Sequence, residues 1–159
     1  MKTMQDSEWV LIDTETTGLS QPIYVIEIAA QKMRGWEPVG EPYHAYLNHN
    51  VRIPSAAIAI HRLTNEFIAE NGRDPKTVHT ELIEFMGSLP VVSHPLNYDW
   101  DRCLLPEWER LGIEPQAKRG FCALLLARRV LPEAESKSLD ALRELYSINE
   151  GRAHSANGD

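Results

Sequence analysis

The segment Trp9–Ile12 constrains this chain most: four apolar residues in a row, two of them β-branched, run directly into Asp13-Thr14-Glu15. A short apolar run of this kind predicts a buried strand. Successive side chains on a strand point to opposite faces, so residues i and i+2 share one. Asp13 and Glu15 are therefore expected to project together from the end of that strand. Two carboxylates held so close are costly unless positive charge sits between them, and hard divalent cations such as Mg²⁺ take carboxylate oxygens. An Asp-x-Glu triplet by itself is most often a surface loop that happens to hold two acids, so the rest of the chain has to decide.

Length and composition narrow the class. With 159 residues, 43% of them hydrophobic and 25% charged, the chain has the size and make-up of one ordinary globular domain with a real core. No apolar run approaches the roughly 20 residues that span a bilayer, and the N-terminus lacks the apolar core of a secretory signal. The reading is therefore a protein with no membrane association. Cys103 and Cys122 stand alone, fit no metal-ligand spacing and point to burial in a reducing, cytoplasmic setting. The formal net charge of −7 argues against broad electrostatic attraction to nucleic acid. It leaves room for an enzyme whose acidic site is neutralised by metal.

Pattern and punctuation predict the elements. Trp9–Asp13, Val25–Met33 and Tyr43–Leu47 read as strands of an antiparallel meander, with Gly18 and Pro22 in the first turn. A loop and short helix follow over Arg52–His61, and Thr64 suits the N-cap of Asn65–Glu70. Pro75–Leu89 carries Val78, Leu82, Ile83, Phe85 and Met86 at helical spacing. Leu89–His94 reads as a short buried strand. Asn97–Leu111 reads as one long helix that Pro106 kinks or interrupts. Phe121–Leu131 is a strand end entering a helix, and Ser138–Tyr146 a capped helix whose Leu139, Leu142 and Leu145 are expected in the core. Strands first, then helices alternating with short strands, make an α/β layered domain with a mixed sheet.

Acids and histidines gather in three places: Asp13 with Glu15; His94 through Asp101, where a strand meets a helix; and His154-Ser155-Ala156-Asn157-Gly158-Asp159 at the chain's end. For an aspartate in the first turn of a helix, simple capping is the ordinary role, and a polar terminal stretch is ordinarily a solvated tail. Taken together, however, four carboxylates and a histidine suit two-metal phosphoryl chemistry. An imidazole with an unperturbed pKa of about 6.5 can take a water's proton near neutral pH.

These residues resemble the motifs of the DEDDh 3′–5′ exonuclease superfamily. Asp13–Leu19 (DTETTGL) matches the first motif, His94 through Asp99 resembles the second, and His154-x-Ala156-x-x-Asp159 matches the third in spacing. Ala59-Ile60-His61-Arg62-Leu63-Thr64 is similar to the loop that packs on the 3′-terminal nucleotide in relatives. The resemblance implies an RNase H-like exonuclease fold, a five-stranded mixed sheet flanked by helices, in a single domain over residues 1–159. It implies that Asp13, Glu15, Asp99 and Asp159 bind two Mg²⁺ or Mn²⁺ ions and that His154 is the general base. Thr16, Thr17, Gly18 and Leu19 would line the pocket for the terminal nucleotide, with His61 and Leu63. For His61 a helix-start hydrogen bond is an equal alternative. The implied partners are the 3′ end of single-stranded nucleic acid and a DNA polymerase or other replication or repair protein. An inactive module that only binds nucleic acid or a partner is the competing reading, against which the full set of acids and His154 argues. His44, His49 and His79 match nothing in the motifs and are expected to be solvated.

Two departures stand out. Pro95 and Leu96 replace the Asn and Ala usual after the second-motif histidine. Spacing from His94 selects Asp99 as the motif aspartate. Apolar residues at +3 and +4 favour Asp101, which is followed there by Leu104 and Leu105; one of the two is expected to be a ligand. The sequence also stops on Asp159, where relatives continue a helix. The domain is therefore expected to lack the end of its C-terminal helix and the packing that would support Asp159.

Overall fold

In the computed structural model, which describes residues 6–148 and Ala156, the first strand forms as the sequence dictates. β1 (Glu8–Thr16) buries Val10, Ile12, Thr14 and Thr16 on one face. It pairs antiparallel with β2 (Val25–Arg34) and parallel with β5 (Pro90–Ser93). β6 (Lys118–Cys122) adds to β5 in parallel. β4 (Tyr43–Tyr46) and the two-residue β3 (Glu37–Pro38) both pair with β2. The order β3-β2-β1-β5-β6, with β4 beside β2, is a six-stranded mixed sheet; its five longer strands are those expected, and β3 adds the sixth.

Helices α1 (Ser55–His61), α2 (Asn65–Asn71) and α3 (Pro75–Met86) follow the meander. Thr64 caps α2 through Phe67 N at 3.1 Å, and Asp74 caps α3 through Thr77 N at 2.8 Å. α3 lays Val78, Leu82 and Met86 on Val10 and Ile12, forming the main core with Trp100, Leu104 and Trp108. Cys103 and Cys122 are both buried and free.

The segment expected as one long α-helix begins instead as a π-helix, Asn97–Leu104, and continues as α4 (Leu105–Leu111). Buried pairs recur every four residues, at Asp99–Trp100, Cys103–Leu104 and Glu107–Trp108. Pro106 falls in the first turn of α4, where its missing N–H costs little.

Three histidines expected in solvent are engaged instead. His79 is fully buried, with Nε2 2.6 Å from Glu107 and Nδ1 accepting the Trp108 indole N–H at 3.0 Å. An indole only donates, so His79 is neutral and carries its proton on Nε2. Glu107 also meets His49 at 3.0 Å and accepts the Val25 N–H at 2.9 Å, tying α4 to β2. Burial alone would raise the Glu107 carboxyl, but the hydrogen bonds from His49 and His79 hold it at about 2. His44 pairs with Glu27 at 2.8 Å. A polar residue's spacing in sequence carries no signal of burial when its partner comes from another element.

α5 (Ala123–Val130) follows β6, and α6 (Leu139–Leu145) is capped by Ser138 through Ala141 N at 3.3 Å. The α6 leucines do not enter the core. Leu139 and Leu142 are half-buried and Leu145 is exposed, as are Tyr146 and Ile148. The helical period is present, but among the described residues nothing buries that stripe.

Candidate active site

Strand alternation sends Asp13 and Glu15 to the face opposite Thr14 and Thr16. There both line a cleft of about 640 Å³ with His94, Arg128 of α5 and residues 135–140 leading into α6. His94 follows β5 and donates from Nε2 to the Lys137 carbonyl at 2.7 Å. Burial lowers its pKa, and the Lys137 bond opposes that. Arg128 and Lys137 set positive charge beside the acids, which reduces the repulsion a phosphate would otherwise meet.

Asp99 and Asp101 are in different surroundings. Asp101 is exposed and paired with Arg119 at 3.0 Å. Asp99 is 2% exposed and accepts the Thr14 hydroxyl at 2.6 Å. Burial pushes its carboxyl up to about 6, with the Thr14 hydrogen bond acting against the rise. Asp99 thus bonds Thr14, the residue between the two cleft acids, at both its hydroxyl and its main-chain N–H, and is not among the residues that line the cleft. The +3/+4 argument for Asp101 assumed an α-helix and lapses with the π turn.

Among the described residues no group of three or more His, Cys, Asp and Glu stands close enough to hold a metal ion. Asp13 and Glu15 nevertheless bring hard oxygen donors into one cleft, a donor chemistry that fits a divalent cation. His154 and Asp159 lie outside the described residues.

The loop leaving β1 walls a second cleft of about 440 Å³, lined by Thr17, Gly18, Leu19 and Tyr24 and, across it, by Arg52 and Ala57. Gly18 has φ 126°, a conformation open to glycine and strained for any side chain. Tyr98 latches this loop: its hydroxyl is 2.7 Å from Thr16 Oγ1 and donates to the Gly18 carbonyl at 3.1 Å. Arg102 holds the Leu19 carbonyl at 2.7 Å. Leu19 is 69% exposed, whereas Thr16, His61 and Leu63 are buried and do not line this cleft. His61 closes the end of α1, with Nδ1 accepting the Leu63 N–H at 3.0 Å, while its buried Nε2 has no hydrogen-bond partner among the described residues. Burial lowers its pKa.

A family model for exonucleases, RNase T, matches residues 10–159. The chain belongs to this exonuclease family. Relatives of this exonuclease domain include the PolC-type DNA polymerase III of Latilactobacillus sakei, 30% identical over 158 residues, and that of Thermotoga maritima, also 30% over 158. The matches cover 98% and 99% of this chain but only 11% of either relative. Among solved structures, E. coli exonuclease I in complex with a dT13 oligonucleotide superposes with a TM-score of 0.83 at 18% identity, over 97% of this chain and 39% of that one. The nuclease domain of 3′hExo, a DEDDh family member bound to rAMP, gives 0.77 at 14%, over 97% and 86%. Divalent-metal dependence follows from the family.

Sequence reasoning passed over Glu27 and Tyr98. Glu27 left a signal, an acid inside the apolar run Val25-Ile26-Glu27-Ile28-Ala29-Ala30. Nothing local distinguishes Tyr98 as a latch, because its partners lie about 80 residues away.

Proposed function

We propose that this domain hydrolyses the terminal phosphodiester at the 3′ end of single-stranded DNA or RNA, releasing nucleoside 5′-monophosphates. The observation that carries the reading is that one strand feeds both clefts. β1 carries Asp13 and Glu15 into the acidic cleft, and the loop continuing from it walls the second. Glu15 and Thr17 are two residues apart, roughly 7 Å of extended chain. A terminal nucleotide against Thr17, Gly18 and Leu19 therefore has its phosphate within reach of the acids. His61 and Leu63 support that pocket from behind, with Thr16.

In this reading Asp13, Glu15, Asp99 and Asp159 would hold two Mg²⁺ or Mn²⁺ ions, which would supply charge stabilisation at the phosphoryl oxygens. His154 takes one proton from the attacking water at an imidazole nitrogen. The new bond joins the water oxygen to phosphorus. The bond from phosphorus to the 3′ oxygen of the preceding nucleotide breaks, and that oxygen takes a proton to become the new 3′ hydroxyl. Arg128 and Lys137 draw the phosphate to the cleft, which matters in a chain of net charge −7. The PolC-type relatives support a replicative polymerase or repair protein as partner. Free Cys103 and Cys122, with no described helix long and apolar enough to cross a membrane, support a reducing, cytoplasmic setting.

The test is product analysis on 5′-end-labelled single-stranded DNA and RNA with Mg²⁺, with Mn²⁺ and with EDTA. Stepwise shortening with either ion, absent in EDTA, is expected. No metal-dependent shortening of either substrate would overturn the reading in favour of a binding module.

A further inference from the structure

We propose that Glu27 is a positioning residue for the third motif: its carboxylate, oriented by His44, holds the main-chain N–H of Ala156, the residue of that motif between His154 and Asp159 in sequence. This rests on the function proposed above. In the β1–β2 register Glu15 lies opposite Glu27 and Asp13 opposite Ala29, so Glu27 faces the same side of the sheet as the cleft acids. Directly opposed like charges in a sheet are destabilising, and a carboxylate at 1% exposure has lost its water. Glu27 persists because its charge is engaged. Its Oε1 meets His44 Nε2 at 2.8 Å, and its Oε2 accepts the Ala156 N–H at 3.2 Å.

Both partners are informative. His44 stands opposite Ala29 on β4, the diagonal neighbour of Glu27, and is partly open to solvent. Ala156 is 4% exposed, two residues after His154 and three before Asp159. A leucine would fill the space at position 27 as well as glutamate does. What only an acceptor supplies there is a fixed direction for the Ala156 amide, an anchor inside the motif that carries His154 and Asp159.

Three variants and two readouts test this. Glu27→Leu keeps the volume and removes the acceptor, Glu27→Gln keeps an acceptor oxygen, and His44→Phe removes the orienting partner at a less buried site. Steady-state cleavage is read beside hydrogen exchange of the Ala156 amide, which needs no catalysis. Glu27→Leu is expected to lower kcat about 10²-fold, the scale of a small misplacement, with KM little changed and Ala156 exchange at least about tenfold faster. Glu27→Gln should restore both toward the parent, and His44→Phe should fall between, which keeps the test open if the leucine variant does not fold. Unchanged Ala156 exchange in Glu27→Leu or in His44→Phe overturns the tether, as does a kcat loss as large in Glu27→Gln as in Glu27→Leu. Absence of cleavage by the parent protein overturns the exonuclease reading alone, because exchange still reports the tether.

Discussion

The Glu107 network makes the stability of this domain depend on pH in a direction that can be worked out. Glu107 is 1% exposed and bound by His79, His49 and the Val25 amide. A carboxyl ordinarily at 4.5 is held at about 2. Each factor of ten in proton affinity is worth about 1.4 kcal/mol, so the ceiling on its contribution is about 3 kcal/mol. The neutral His79, fixed by the Trp108 bond, lends no full positive charge, which makes the true value smaller than that ceiling. Because the folded value is depressed, this stabilisation is fully present above about pH 4.5 and is lost as pH falls toward 2. In Glu107→Gln nothing titrates at that position. Urea unfolding of both proteins, followed by tryptophan fluorescence at pH 6, 4.5 and 3, should show the stability difference shrinking by about 1–3 kcal/mol as pH falls. A difference that stays flat from pH 6 to 3 would refute the assignment of Glu107 as an ionised, hydrogen-bonded hub.

Three further outcomes are expected. His154→Ala should lower kcat by about 10²–10⁴, and a loss smaller than about tenfold in the same labelled-oligonucleotide assay would remove it from the role of base. Asp101→Ala breaks only an exposed pair with Arg119 and should change stability by less than about 1 kcal/mol with activity retained. Asp99→Ala, by contrast, should cost activity more than about 100-fold, since loss of a group that only orients a ligand already costs about 10–100-fold; a reversed order would transfer the ligand role to Asp101. Tyr98→Phe removes the latch on Thr16 and Gly18 and should cost about 1 kcal/mol in thermal unfolding, raising KM more than it lowers kcat.

Period and punctuation made most of the fold legible. The β1 run, the Thr64 cap of α2 and the Pro75 start of α3 are local signals, and the structure follows them. What escaped depends on partners remote in sequence. His79 and His49 read as solvated because the carboxylate that buries them comes from α4. Leu139, Leu142 and Leu145 have helical spacing, but spacing does not say whether a neighbour exists to cover the stripe. The choice between Asp99 and Asp101 turned on an assumed α period, and the π turn from Asn97 to Leu104 changed which residues face inward. Of the site, Asp13 and Glu15 were legible from strand alternation alone. Lys137 and Arg128 were not, since their approach to the cleft is set by how α5 and the loop before α6 return to the sheet.

The register between β1 and β2 explains why two acids on one face take different tasks. Glu15 and Glu27 are cross-strand partners, so without distinct counter-groups their repulsion would oppose the pairing that builds the sheet. Glu15 opens to the cleft with Asp13, where a divalent cation would add its charge to the partners the two acids already have. Glu27 turns into the protein, where His44 and the Ala156 amide satisfy it. A cation at one acid and a main-chain donor at the other are not interchangeable, because a carboxylate at 1% exposure has no route to bulk ions. Removing divalent cation should therefore restore repulsion on the Glu15 side and lower thermal stability in the parent protein. Glu15→Gln should abolish that dependence, while Glu27→Gln should keep it. If EDTA leaves the melting temperature of the parent unchanged while cleavage stops, the cation does not contribute to holding these strands together, and the opposed acids are balanced by protein groups alone.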